Sequence, residues 1–121
     1  MIRILGNNLA NRKKIYIALT AIYGIGISRS KKILNTLNIN IDTRVSDLTE
    51  KNISNLRDYL ENDSFKLEGN LKRFIQLNIS RLIEINSFKG KRHLKGLPTR
   101  GQRTRTNSRT SRKLIFLKGK K

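Results

Sequence analysis

The chain has 121 residues, a formal net charge of +19 and no cysteine. Because it has no thiol and a single histidine, His93, it can hold neither a disulfide framework nor a thiolate or all-imidazole metal site. No apolar run approaches the roughly 20 residues of a membrane span. We therefore expect no cofactor, no membrane contact and no small-molecule substrate.

The positive charge is distributed unevenly along the chain. Residues 1–41 contain seven basic side chains and no acidic one, and residues 85–121 contain 13 basic side chains and no acidic one. The middle, residues 42–84, contains seven basic and eight acidic side chains. Cationic flanks of this kind repel themselves and favour a polyanion, most often nucleic acid. The nearly neutral middle is better suited to contacts with protein.

Two short helices joined by a glycine turn are predicted near the N-terminus. Asn11 can cap the first helix, whose apolar residues follow the i, i+3, i+4, i+7 spacing of one buried face. Gly24 should end this helix, and Ser28 can cap the second one.

Two longer helices are predicted in the middle of the chain. Thr49 can cap the third helix, which should end near Asn62, and Gly69 or Asn70 begins the fourth. The fourth helix has one mainly apolar side that contains Leu71, Phe74, Ile75, Asn78, Leu82 and Ile85. Core packing is the expected role of the aromatic residues, which are Tyr16, Tyr23, Tyr59, Phe65, Phe74 and Phe88.

The pattern changes from residue 87 onward. Glycines and Pro98 interrupt a segment rich in Lys, Arg, Thr, Ser and Asn, which cannot bury enough apolar area to offset its ordering entropy. We expect an arm that becomes ordered on its partner. The chain also has no strand-like alternation, so the predicted fold is all-α. It consists of a helical body, residues 1–86, with a helix-two-turn-helix-like N-terminal part, and a basic extension, residues 87–121.

The glycine turn is the first candidate nucleic-acid site. Gly24 and Gly26 would let the backbone approach a phosphate, and Arg29, Lys31 and Lys32 at the start of the next helix would add donors and positive potential. The simpler interpretation is that Gly24 is a helix C-cap and Gly26 fits a tight turn. The two interpretations are compatible.

Catalysis has little support in the sequence. His93 has no acidic residue within eight positions on either side, so it lacks the orienting carboxylate that a general base usually needs. The carboxylates show no metal-loop spacing and are placed as a solvated helix face would place them. We expect no enzymatic activity, and for His93 a neutral contact with a phosphate or base.

The basic extension is the second candidate site. Its arginines can contact phosphate oxygens bidentately, and its lysines act as point charges. Gln102 and Asn107 could pair with base edges. The candidate residues before the extreme C-terminus are Lys91, Arg92, His93, Lys95, Arg100, Gln102, Arg103, Arg105, Asn107, Arg109 and Arg112.

This extension resembles the C-terminal signature of bacterial-type ribosomal small-subunit protein thirteen. From residue 89 to residue 110 the sequence reads KGKRHLKGLPTRGQRTRTNSRT. The resemblance continues in IALTAIYGIG (residues 17–26), DTRVSDLT (42–49), LEGNLKR (67–73) and NISRLI (78–83), so it covers nearly the whole chain. Thr99 replaces the usual aliphatic residue, and the segment from Ser111 to Lys118 is more similar to mitochondrial members.

Membership of this family implies a structural role in the head of the small ribosomal subunit. The partners implied are small-subunit rRNA, small-subunit protein nineteen, large-subunit protein five across an intersubunit bridge, and peptidyl-site tRNA. Lys118, Lys120 and Lys121 would then lie near the tRNA. Because the N-terminus has no import leader and Ile, Asn and Lys are abundant, we expect a mitochondrial ribosome and an organelle gene, with the bacterial cytoplasm or a plastid as the alternative.

Two other functions remain open at this point. One is a non-ribosomal helix-hairpin-helix nucleic-acid-binding protein that uses the glycine turn. The other is a basic protein that compacts nucleic acid without sequence preference, although such a role does not require the irregular order of Gly, His, Pro and Gln in the extension.

Overall fold

The computed structural model describes residues 1–112, which are mainly helical, as the sequence predicted. The elements in chain order are β1 (Ile2–Ile4), β2 (Asn7–Leu9), α1 (Ile15–Ala18), α2 (Ile27–Thr36), α3 (Glu50–Asn62), α4 (Glu68–Glu84) and α5 (Phe88–Lys95). Short 3-10 turns span Leu19–Ala21 and Val45–Asp47. The chain forms two compact units, one of residues 1–72 and the other beginning at Arg73. None of the helices described is long and apolar enough to cross a membrane.

The first unit begins with a β-hairpin, although the sequence shows no strand-like alternation. Strands β1 and β2 are antiparallel, with Ile2 opposite Leu9. The two turn residues, Leu5 and Gly6, both have positive φ, as the tight turns of two-residue hairpins require. Each strand has only three residues, which is too short for alternation to be recognised. Ile4 and Leu9 place their side chains in the core.

The first two helices form where predicted but begin differently. Helix α1 has one regular turn and continues as a 3-10 turn, and its N-cap position is held by Lys14 instead of Asn11. Helix α2 begins one residue before the predicted cap Ser28, because the Gly26 carbonyl already accepts the first helical hydrogen bond, from the backbone N–H of Ser30 at 2.9 Å. The predicted caps at Asn11 and Ser28 are therefore wrong.

The core of the first unit is formed by aliphatic side chains from all of its elements. Its fully buried members are Ile4, Leu9, Ile15, Leu19, Ile22, Ile33, Leu34, Val45 and Leu56. Tyr16 and Tyr59 pack against this core, as predicted. Tyr23, Phe65, Phe74 and Phe88 do not, because between 38% and 71% of each residue remains exposed. For these four aromatic residues the predicted core role is wrong.

Helix α3 matches its prediction and α4 matches only in part. The Thr49 hydroxyl accepts a hydrogen bond from the Asn52 backbone N–H at 3.3 Å, and α3 ends at Asn62. Helix α4 begins at Glu68, one residue before the predicted Gly69. No residue of α4 is buried, so its apolar side does not form a core within the described residues.

Helix α5 lies in the segment that was expected to become ordered only on a partner. The Ser87 hydroxyl accepts from the Gly90 backbone N–H at 3.0 Å and donates to the Leu82 carbonyl at 2.8 Å, so it caps α5 and ties it to the end of α4. Gly96 ends the helix in the left-handed conformation, with φ of 66°. A capping serine and a left-handed glycine are ordinary signals for the start and end of a helix, but the basic, glycine-containing composition of this segment led to the prediction of an extended arm.

The packing around Gly90 explains why this short helix contains a glycine. A Cβ atom at this position would overlap the backbone carbonyl of Leu82 and the backbone N–H of Ile83. The α5 backbone therefore packs directly on the end of α4, at a distance that no side chain allows.

Candidate nucleic-acid interface

Most positive charge in the first unit is left without a neutralising carboxylate. Asp42 is paired with Lys14 at 2.7 Å, and this hydrogen bond lowers the pKa of Asp42 and raises the pKa of Lys14. Both side chains are largely exposed, so the pair contributes little to stability. Lys31 and Lys32 on α2 are also exposed. Their positive potential therefore faces solvent beside the glycine turn.

The turn between α1 and α2 needs glycine at one position and leaves open space at the other. Gly24 has φ of +105°, and a Cβ there would lie 2.9 Å from Leu71 Cδ2 and 3.0 Å from Leu67 Cδ2. Gly24 is not the predicted helix C-cap, because Ile22 holds that position after the 3-10 turn, but tight packing and the positive φ are sufficient to explain the glycine. Gly26 has no atom within 4 Å of a built Cβ, so packing does not require a glycine there. Gly26 instead leaves the uncapped N-terminus of α2 accessible.

Arg29 is held against this turn. Its Nη1 donates to the Gly24 carbonyl at 2.6 Å, and its guanidinium carbon lies 4.1 Å from the centroid of the Phe65 ring. The side chain is half-buried as a result. The structure therefore brings Arg29 to the predicted site, but one of its N–H groups and one face of its guanidinium are directed at the protein itself.

Glu68, which is not among the residues predicted from the sequence, fixes the other side of the turn. Its Oε1 accepts from the Tyr23 backbone N–H at 2.6 Å and from Asn7 Nδ2 at 2.7 Å, while its own backbone N–H donates to the Tyr23 carbonyl at 3.0 Å. Lys72 Nζ lies 3.9 Å from Oε2. The Tyr23 N–H lowers the pKa of Glu68; burial opposes this effect, and Asn7 and Lys72 add to it.

The signal that could have revealed Glu68 was weak. Its partners lie 45 and 61 residues away in the chain, beyond the reach of any local pattern. Only its place in the segment LEGNLKR, which carries part of the family resemblance, distinguished it from the other carboxylates.

The basic residues of α5 form a second group, in the second unit. Lys91 and Lys95 are exposed, and Arg92 and His93 are half-buried. Arg92 Nε donates to the Pro98 carbonyl at 3.0 Å, and its guanidinium carbon lies 5.8 Å from the Phe88 ring centroid. Arg92, His93 and Lys95 lie in the last turn, where the helix dipole favours cations.

The segment that follows α5 exposes most of its predicted contact residues. The exposed members are Arg100, Gln102, Arg103, Arg105, Asn107, Arg109 and Arg112. Gln102 Oε1 accepts from the Arg100 backbone N–H at 3.0 Å, so its carbonyl oxygen serves a local turn. Arg112 donates to the hydroxyl of the buried Ser108 at 2.8 Å. Lys118, Lys120 and Lys121, predicted to lie near tRNA, are outside the described residues.

Metal chemistry finds no support in this part of the chain. Residues 1–112 contain no cluster of three or more His, Asp or Glu side chains that could hold a metal ion. What the arrangement offers is two cationic surfaces: the glycine turn with the start of α2, and the basic residues from Lys91 to Arg112.

Comparison with known proteins agrees with the resemblance seen in the sequence. The model of the family "Ribosomal protein S13/S18" matches residues 3–110. "Small ribosomal subunit protein uS13" of Rippkaea orientalis is 48% identical over 122 residues, covering 100% of this chain and 95% of the relative. "Small ribosomal subunit protein uS13c" is 54% identical in Porphyra purpurea and 52% in Pyropia yezoensis, each covering 93% of this chain and 88% of the relative.

These relatives also bear on the alternatives left open by the sequence. They are bacterial and chloroplast proteins, which supports a plastid or bacterial location and gives no support to the mitochondrial one. A match over residues 3–110 likewise favours a ribosomal protein over an unrelated helix-hairpin-helix binder or a compaction protein. The chain belongs to the ribosomal protein S13/S18 family and is a structural protein of the small ribosomal subunit.

Proposed function

We propose that this protein binds small-subunit rRNA through the two cationic surfaces and makes no enzymatic contribution to translation. The observation that carries the proposal is the row of exposed cations from Arg100 to Arg109 in a part of the chain with no acidic residue after Glu84. A polyanion is the partner that such a surface attracts most strongly. We further propose that residues 87–121 act as the rRNA-binding extension of a body formed by residues 1–86.

Phosphate contacts are the proposed mode of binding. Arg100, Arg103, Arg105 and Arg109 are exposed, and the segment contains Thr, Ser and Asn in place of the aromatic residues that stack on bases. At the glycine turn, the open space at Gly26 and the exposed Lys31 and Lys32 support a phosphate at the start of α2. Arg29 and Arg92 belong to the same proposed surfaces, and each also donates to a backbone carbonyl, of Gly24 and Pro98, respectively.

The remaining partners are proposed from the family resemblance. They are small-subunit protein nineteen, large-subunit protein five across the intersubunit bridge, and peptidyl-site tRNA near the extreme C-terminus. The nearly neutral middle, residues 42–84, supports protein contacts because its carboxylates would repel rRNA. A plastid or bacterial ribosome is the proposed location.

Salt-dependent RNA binding tests the proposed mode directly. Arg100, Arg103, Arg105 and Arg109 are replaced singly by Gln, and Lys51→Gln on α3, which is also exposed, is the charge-matched control. Each arginine variant should weaken binding to a small-subunit head-domain RNA and lower the slope of log K against log[salt] by roughly 0.7 to 0.9. The control should change neither quantity.

Two results would contradict this proposal. If one arginine variant abolished binding with an unchanged salt slope, that residue would read a base and not a phosphate. If the arginine variants and Lys51→Gln behaved alike, the extension would not be the binding surface.

A further inference from the structure

Phe88, the first residue of α5, is the most exposed aromatic residue in the described part of the chain, residues 1–112. It is 71% exposed, whereas phenylalanine is usually buried in a core. A single apolar side chain on a surface is common and needs no explanation by itself. The surroundings of Phe88, however, are neither apolar nor irregular, and the proposed phosphate contacts give this ring no role.

Phe88 is held at the surface by an ordered helix. The Ser87 hydroxyl beside it caps α5 and donates to the Leu82 carbonyl at 2.8 Å, and the backbone at Gly90 packs directly on the end of α4. The Arg92 guanidinium carbon lies 5.8 Å from the ring centroid, near the outer limit of a cation–π contact. The ring therefore has one cation beside it, and most of its surface faces solvent.

The neighbours of Phe88 on its own side of α5 are all cations. On a helix, residues three, four and seven positions apart lie on the same side, and for Phe88 these positions hold Lys91, Arg92 and Lys95. Lys91 and Lys95 are exposed, and α5 contains no acidic residue. A partner that covers Phe88 must therefore also accept positive charge, which an apolar protein surface does not do.

We infer that Phe88 stacks on an unpaired base of small-subunit rRNA. Single-stranded RNA supplies both things that this side of α5 can bind, since each nucleotide has a phosphate for the lysines and a flat π surface for the ring. Aromatic rings beside basic side chains are a common means of binding single-stranded nucleic acid. This inference rests on the proposed rRNA binding, and it adds to the phosphate contacts one contact that does not depend on charge.

Two substitutions of Phe88 separate stacking from charge. Phe88→Leu keeps an apolar side chain but loses the flat ring, whereas Phe88→Tyr keeps the ring. Phe88→Leu should bind a small-subunit head-domain RNA about tenfold more weakly than the wild type, and Phe88→Tyr should bind it equally well. The slope of log K against log[salt] should be unchanged in both variants, because neither loses a cation. Both should bind a fully paired RNA duplex as the wild type does, since its bases are not available for stacking.

Tryptophan fluorescence measures the stacking contact directly. The protein contains no tryptophan, so Phe88→Trp introduces a single indole, whose emission a stacked base quenches. Phe74→Trp on α4 is the control, because Phe74 is 42% exposed and the residues three and four positions away from it include no cation. We expect the head-domain RNA to quench the indole at position 88 and to leave the emission of the control nearly unchanged.

The possible results distinguish failure of the stacking inference from failure of the proposed function. Equal affinities of Phe88→Leu and Phe88→Tyr for the head-domain RNA, or equal quenching of the two introduced indoles, would overturn the inference. It would also be overturned if Phe88→Leu lost as much affinity for the paired duplex, or if this variant bound RNA normally and failed only to assemble into ribosomes, since Phe88 would then contact a protein. Wild type that bound no head-domain RNA at all would refute the proposed function itself. Because Phe88 is exposed, its variants should melt at the temperature of the wild type, which verifies that the fold is intact.

Discussion

Glu68 should contribute more to the stability of the first unit than any exposed carboxylate of this chain. Replacing it by Ala removes two short hydrogen bonds to a charged acceptor, from Tyr23 N–H and Asn7 Nδ2. Bonds of this kind are worth about 1.5–3 kcal/mol each, and because 24% of the Glu68 side chain is exposed, water can replace part of them. We therefore expect Glu68→Ala to lower the free energy of unfolding by about 3 kcal/mol.

Two further substitutions separate the parts of this effect. Glu68→Gln keeps an acceptor oxygen and loses the charge, so it should cost only about 1 kcal/mol. Glu68→Gly removes the same contacts as Ala, but Glu68 has φ of 47°, a conformation that disfavours residues with a Cβ. Glu68→Gly should thus be less destabilised than Glu68→Ala, by about 1 kcal/mol.

The charge of Glu68 should also make stability depend on pH. Its pKa in the folded protein is lowered from the ordinary value of 4.5, so its contribution is present above this pH and is lost as the pH falls through the folded-state pKa. Thermal unfolding followed by circular dichroism between pH 7 and pH 3 should show the wild type and Glu68→Gln converging in acid. Glu84→Gln, on the same helix and exposed, is the control.

Either of two outcomes would contradict the role assigned to Glu68. If Glu68→Gln and Glu84→Gln gave the same stability at pH 7 and the same dependence on pH, the contacts of Glu68 would not be significant in solution. If Glu68→Gly were as unstable as Glu68→Ala, the positive φ would carry no strain.

Two other substitutions test the packing of each unit. Gly90→Ala should destabilise the second unit by about 2 kcal/mol or more, since its Cβ would overlap the Leu82 backbone. Gly69→Ala, with open space around it, should be neutral or slightly stabilising. Urea unfolding of both variants measures these changes. Ser30→Ala should lower the free energy of unfolding of the first unit by about 1–2 kcal/mol, because Ser30 is fully buried and its hydroxyl donates to the Tyr16 carbonyl at 2.8 Å. Ser28→Ala, on the exposed side of α2, should lower it much less. Equal decreases in the two variants would show that this buried hydrogen bond does not contribute to stability.

The sequence predicted those parts of the fold that depend on local rules. Helix α3 shows a capping threonine, Thr49, and an apolar periodicity that continues to Leu60, and both signals act within a few residues. Helix α5 was missed because Gly90 was taken as an interruption. In the structure Gly90 is what allows α5 to contact the end of α4, a tertiary reason that composition does not express.

The candidate site was predictable as a set of residue types but not as a geometry. The cations near the glycine turn and in the extension were named from charge alone. Glu68, which holds the turn through partners 45 and 61 residues away, was not named, because its contacts join distant segments. Local patterns contain no information about such contacts.

Among the arginines predicted to contact rRNA, the structure separates two half-buried residues from five exposed ones, which the net charge counts alike. Arg29 and Arg92 are half-buried and donate to the Gly24 carbonyl and the Pro98 carbonyl, respectively. The exposed group consists of Arg100, Arg103, Arg105, Arg109 and Arg112, of which Arg112 also donates to the Ser108 hydroxyl. Because counterion release counts only cations that reach a phosphate, the salt slope of RNA binding should be set mainly by the exposed group. The half-buried Arg29 and Arg92 should therefore contribute less to this slope than the exposed arginines.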